Sequence, residues 1–418
     1  MSDCGCDSHE IKLIPYHDAL GRLVDAAVPL ADMEEVVTAA ALGRVLAEPV
    51  FSGMDVPPAD NSAMDGYALR SNDIPGDGDI TLPVSQRIPA GTYGQPLAAG
   101  TAARIFTGAP VPPGADAVVM QEVCTASDDI VAIPGPVAAG QNIRRAGEDI
   151  SSGQELLAAG RRIRPQEMGL IASVGHATVS VVRRLRVAIF FTGDELVEPG
   201  GSLKPGQIYD SNRFTLLGLL AEMGCDVVDL GVVGDTLAST RQAIRSAADQ
   251  ADLVITSGGV SVGEEDHVRI ALEEEGDLNM WRIAIKPGKP LAYGTAHGAP
   301  FIGLPGNPVS VFATFCLFVS PFIKRMQGMT SVVSRAVPVR AGFDWPKPGT
   351  RREFLRARLE QDAAGLPQAV IYPHQGSGVL TSTSWAEGFV EVPEGTTVSA
   401  GQTVDCLLYT SDAADDEC

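Results

Sequence analysis

The stretch 253-LVITSGGVSVGEED-266 decides the fold. Leu253, Val254, Ile255 and Thr256 spell a short buried strand. Ser257, Gly258 and Gly259 follow, then a loop that ends on three acids at Asp266, after which helical spacing resumes at Val268. In open α/β sheets ligands bind beyond the carboxyl ends of the strands, and glycines there let backbone approach a phosphate. A tight turn with Asp266 as a helix N-cap is the plainer alternative. On either side strand and helix patterns alternate, with strands at 187–191 and 226–233, helices at 213–223, 237–249 and 268–275, strands near Ile283, Leu291 and Phe301, and a helix after Pro308. Such alternation predicts a doubly wound α/β domain over 183–330.

Three neighbouring strand ends weigh the loop toward a ligand site. The first, FTGDELVEPG, carries Thr192, Gly193, Asp194 and Glu195. The second carries Gly234 and Asp235, where an N-cap is again the plainer reading. Glu195, Asp235 and Asp266 at adjacent strand tips would repel one another unless a cation stood among them, so they are expected to bind a hard metal, Mg²⁺. The third end is IKPGKP followed by GLPGNPVS. Lys286 and Lys289 flank a Pro-Gly turn, and Pro305, Gly306, Asn307 and Pro308 lead stiffly into a helix, together suiting a phosphate cradle.

Composition narrows the function. The chain has 418 residues, 45% hydrophobic and 20% charged, which suits a globular protein of about three or four domains. Its 52 acidic and 31 basic residues leave a charge of −21, which argues against nucleic acid as a partner. The N-terminus MSDCGCDSHE is no signal peptide, and the apolar run 309–323 falls short of the ~20 residues of a membrane helix, so no membrane partner is expected. Seven scattered cysteines suit a reducing compartment, the cytoplasm. Cys4, Cys6 and His9 match no strong zinc pattern.

Outside the α/β domain the text changes. Helical spacing runs over 11–23 and again over 33–46, where Val36, Val37, Ala40, Ala41 and Leu42 form a stripe. From 51 to 140 short β runs at 80–84, 103–107, 117–121 and 130–133 are closely punctuated by Pro and Gly, and a helical pattern returns at 165–174. The expected order is a disordered tail (1–10), an elongated N-terminal domain (11–52 and 141–182) interrupted by a small β domain (53–140), the α/β domain, and a C-terminal β-barrel (331–408). The fold class is therefore multidomain α/β plus β.

The motifs resemble those of the molybdopterin molybdenumtransferases, the family of gephyrin's C-terminal domain. PPADNSAMDGYA at 57–68, RIFTGAPVPPGADAVV at 104–119, NIRRAGEDI at 142–150, FTGDEL, GQIYDSN, TSGGVSVGEEDH, IKPGKP, GLPGNPVS and TRREF stand in order. The resemblance implies an enzyme that takes adenylylated molybdopterin and molybdate, releases AMP and is assisted by magnesium. It implies that Glu195, Asp235 and Asp266 carry the metal and adenylyl chemistry, that Thr192, Gly193, Ser257, Gly258 and Gly259 face the phosphate, and that Lys286, Lys289, Pro305, Asn307 and Pro308 line the pterin and molybdate pocket. It further implies a homodimer in which Asp65, Thr107 and Asp149 reach the site from the partner, with Arg356 and Ser377 contributed by the barrel. After Trp281 the bacterial family often has Lys where this chain has Arg282, which exchanges a point donor for a fork.

Two other readings share part of the pattern. A molybdopterin adenylyltransferase has the glycine-rich loop but neither the β insertion nor the barrel, and such an enzyme is also an expected transient partner. A non-catalytic, gephyrin-like scaffold would not need the acids and lysines. Residues 406–415, CLLYTSDAAD, match one translated frame of a transposase sequencing adapter, so 406–418 is expected to be an artefactual tail.

Overall fold

The computed structural model describes residues 13–74, 76–259 and 267–409. At its centre lies a six-stranded sheet in the order Asp226–Val233, Arg186–Thr192, Leu253–Ser257, Ala299–Leu304, Pro290–Ala296, Gly276–Arg282. The first four strands are parallel, and the fifth, Pro290–Ala296, runs antiparallel to both of its neighbours. Side chains alternate between the faces: Val187, Ile189 and Phe191 join one core with Leu216, Leu220 and Phe318, while Ala188 and Phe190 join the other with Ile244, Ala247 and Leu272. Covering both faces explains why these strands read as unbroken apolar runs. Parallel registration brings Thr192 beside Val233, Phe191 beside Ser257, and Ser257 beside Leu304. All four loops of interest therefore leave one edge of the sheet.

The helix after Pro308 forms as Pro308–Thr314, a π-helical turn Phe315–Val319, and Ser320–Met326. It is long and apolar enough to cross a membrane, yet 72% of its most apolar window is buried inside the fold, so it serves as the core helix expected from the sequence.

The N-terminal half departs from expectation in two places. Residues 33–46 form no α-helix: Met33–Val37 is a strand paired antiparallel with Thr178–Val182, followed by a 3₁₀ turn at Thr38–Ala40. The β-branched run Val36-Val37-Thr38 favours an extended chain once a partner strand is present, and that tertiary pairing overrides the helical spacing. The helix Tyr16–Ala26 does form, but Tyr16, Leu20 and Leu23 pack into the α/β core rather than into the N-terminal domain. That domain has its own core, in which Leu46 and Val50 meet Leu157, Ile163 and Ile171. The interrupting domain is a six-stranded sheet built from 66–135.

At the C-terminus Arg352–Gln361, Pro367–Ile371, Ala336–Ala341, Thr403–Leu408 and Gly388–Val392 pair in sequence, and the last returns to the first, closing a five-stranded barrel. Residues 406–408 of the suspected tail form the end of the last barrel strand. Cys406 is fully buried in the barrel core, and the Tyr409 hydroxyl donates to the carbonyls of Thr383 and Ala386. Cys4, Cys6, His9 and residues 410–418 lie outside the described residues.

Candidate active site

A cavity of about 540 Å³ opens where the sheet edge meets the barrel. One wall is the turn after Ile285–Lys286, where the Lys286–Pro287 peptide is cis and Gly288 has φ +99°. A Cβ on Gly288 would stand 2.5 Å from Thr314 Cγ2, so only glycine lets this turn lie against the helix. Lys286 and Lys289 both line the cavity from this turn. The next wall is Pro305, Gly306 and Asn307, with Ser310 from the helix behind them. Asn307 occupies the N-cap position without a side-chain cap bond, and Pro308 fixes the first turn of the helix without lining the cavity.

The floor is Gly258 and Gly259, with φ of +95° and +63°. A Cβ on Gly259 would meet Val268 Cγ2 at 2.6 Å and Thr192 Oγ1 at 3.0 Å, so buried Thr192 supports the pair from beneath. Ser257 is also buried, and its hydroxyl donates to Pro305 O at 3.1 Å. The Asn212 amide donates to Ser257 Oγ at 3.0 Å and to Gly306 O at 2.8 Å, clasping floor and wall together.

The barrel closes the far side with Arg351, Gln375, Gly376 and Ser377. Ser377 O accepts from Val309 N at 3.0 Å, which joins the barrel loop to the first turn of the core helix. Arg356 stands behind that loop and does not line the cavity. It is 1% exposed and donates to Ser382 Oγ at 3.0 Å, Gly376 O at 3.1 Å and His374 O at 3.3 Å. No carboxylate among the described residues pairs with it, and burial pushes its guanidinium down to about 10. Arg282, at the end of its strand, also lies outside the lining.

Glu195 and Asp235 follow the tips of two adjacent parallel strands. The Glu195 carboxylate bends back over Gly193, 2.5 Å from where a Cβ would stand on that glycine. Neither carboxylate has a hydrogen bond or ion pair among the described residues. Carboxylates with no donor among the described residues are oxygen ligands of the kind a magnesium ion takes. No cluster of three or more His, Cys, Asp or Glu placed for a metal occurs among the described residues, and Asp266 lies outside them.

Asp65, Thr107 and Asp149 belong to a second patch. The Thr107 amide and hydroxyl both donate to Asp65 Oδ1 at 2.8 Å, and the amide bond leads in holding that carboxyl below its ordinary range. Asp149 N donates to Val56 O at 3.0 Å, and neighbouring Arg144 pairs with Asn61, so the three segments adjoin. None of the three residues lines the cavity of their own chain.

Sequence reading missed Arg351, Asn212 and Gln375. The first two lay inside quoted motifs, TRREF and GQIYDSN, but nothing local tells which side chain of a motif reaches a segment far along the chain. Gln375 had no signal.

Comparison with known proteins settles the family. Residues 14–175 match the MoeA N-terminal region (domain I and II), 188–325 a probable molybdopterin binding domain, and 338–409 the MoeA C-terminal region (domain IV). A Haemophilus influenzae protein named molybdopterin molybdenumtransferase is 42% identical over 371 residues, covering 87% of this chain and 91% of the relative. The chain belongs to the molybdopterin molybdenumtransferase family. A Nostoc relative of the same name is 42% identical over 78% of this chain and 77% of its own. The crystal structure of the Pyrococcus horikoshii molybdopterin biosynthesis moeA protein superposes with a TM-score of 0.82 at 32% identity, covering 95% of this chain and 100% of the other.

Proposed function

We propose that this enzyme inserts molybdenum into molybdopterin by holding molybdate in the cavity beside the adenylylated form of the pterin, and that AMP leaves as the metal is inserted. The observation that carries this reading is the convergence of Lys286, Lys289 and Arg351 on one cavity in a chain of net charge −21. Local cations are what a small dianion needs against so negative a surface. Both the N-terminal and C-terminal regions match their family, which supports molybdenum transfer over adenylyl transfer, since the adenylyltransferase would need only the central domain.

In this reading the lysines and Arg351 neutralise the oxyanion, and the Gly258-Gly259 backbone lies against the pyrophosphate of the pterin. Ser377 and Gln375 cover the cavity and limit its water. Glu195, Asp235 and Asp266 would hold magnesium, which supplies positive charge to the adenylyl phosphate. The partner of a homodimer would bring Asp65, Thr107 and Asp149 to the same site, and the enzyme would work in the cytoplasm beside the adenylyltransferase that makes its substrate.

Release of AMP from adenylylated molybdopterin tests the proposal. AMP should appear only with both molybdate and magnesium present, and Asp266→Ala should abolish it in a folded protein. Net formation of the adenylylated pterin from ATP, or undiminished turnover by that variant, would overturn the reading.

A further inference from the structure

The barrel supplies more than a wall. Its strand Arg352–Gln361 begins by pairing, in parallel, with Ile285–Lys286, placing Arg352 opposite Ile285 and Glu353 opposite Lys286. Two further bonds fasten the join: Arg352 N donates to Ala284 O at 2.9 Å, and Arg351 Nη1 donates to Ile285 O at 3.0 Å. At its centre Lys286 Nζ lies 3.1 Å from Glu353 Oε2. Glu353 is 6% exposed, while the Lys286 side chain is 44% exposed where it lines the cavity. The other carboxylate oxygen is packed as well, 2.5 Å from where a Cβ would stand on Gly349, so that position leaves no room for a side chain.

We propose that Glu353 is the positioning residue of this site: a buried carboxylate, inserted by the barrel behind Lys286, that sets where the ammonium stands in the cavity and thereby the affinity for a tetrahedral oxyanion. A lysine carries a point charge on a flexible four-carbon stem, and fixing it costs rotamer freedom. Lys289 and Arg351 line the same cavity, and their repulsion drives a third cation outward to water. Glu353 opposes both tendencies before any ligand arrives. It also offsets one of three cationic charges, leaving a balance that suits a dianion. The proposal rests on the reading of the cavity as the molybdate site.

The test is calorimetric titration of the full chain with sodium molybdate, for wild type, Glu353→Gln, Lys286→Met and the double variant. Glu353→Gln should weaken binding by about tenfold, the value of one lost bond to a charged group. Because Glu353 acts through Lys286, the double variant should bind no more weakly than Lys286→Met alone. Wild-type affinity in Glu353→Gln, or effects that multiply in the double variant, overturn the proposal while leaving the site in place. Wild-type affinity in Lys286→Met removes the site and the proposal together. If near-ultraviolet circular dichroism shows that Glu353→Gln does not fold, Glu353→Asp takes its place; it keeps the charge but withdraws it from Lys286. The same weakening and the same non-additivity are then required, and multiplying effects overturn the proposal.

Discussion

Arg356 contributes to the cavity without facing it. A guanidinium with no carboxylate partner is a costly group to bury, and here it is held by two loop carbonyls and a hydroxyl. The loop it holds carries Gln375, Gly376 and Ser377 into the cavity. Arg356→Lys keeps the charge but cannot span three acceptors, so at least one buried group loses its bond. We expect a loss of about 1–3 kcal/mol in urea unfolding of the barrel, together with lower molybdate-dependent AMP release. Lys286 and Lys289 could be chosen from spacing alone because a Pro-Gly turn fixes their relation within four residues. Arg351, Glu353 and Asn212 could not, because each acts on a residue at least 45 positions away.

Among the elements, the α/β strands were legible because burial on both faces writes a continuous apolar run into the sequence. Residues 33–46 were not, because the same residues satisfy a helical stripe and a two-stranded pairing, and the partner strand at Thr178–Val182 is far along the chain. The helix Pro165–Ser173 shows how local chemistry starts an element: Pro165 opens it, and Glu167 closes a capping box on the Arg164 amide. The Glu167 side chain is 4% exposed. Burial pushes its carboxyl up, but bonds from Arg164 and Arg161 outweigh that and bring it down to about 2. A folded-state value below the unfolded one stabilises the protein fully above the unfolded range, and the contribution fades as pH falls toward about 2. Glu167→Gln should therefore cost about 1–3 kcal/mol at pH 7, and its melting temperature should approach the wild-type value as pH drops from 5 to 3.

At the scale of the whole molecule, the cavity exists only because distant domains meet. The barrel reaches it through the pairing at Lys286, and the helix Tyr16–Ala26 braces the seam, with the Tyr16 ring 5.5 Å from that of Phe318 and 5.1 Å from that of Phe354. The second patch of Asp65, Thr107 and Asp149 stands outside the cavity of its own chain, which is where residues meant for a partner's site would stand. Asp65→Asn and Lys286→Met should each be inactive alone. Mixed and allowed to exchange subunits, they should recover about a quarter of wild-type AMP release, because half the dimers would be mixed and each would hold one intact site. No recovery after verified exchange would mean that the two patches do not share a site.

Amino-acid order was enough for the α/β alternation, the glycine and lysine turns at strand ends, the inserted β domain, the terminal barrel and the family. The first four rest on local spacing, which survives in one dimension, and the family rests on motifs that resemble those of known members. Tertiary structure alone decided that 33–37 is a strand, that the first helix packs on the α/β core, that Arg356 stands behind the site, and that Glu353 grips Lys286. Each of these depends on which distant segment lies alongside, and a charge or a β-branched run takes its role from that neighbour.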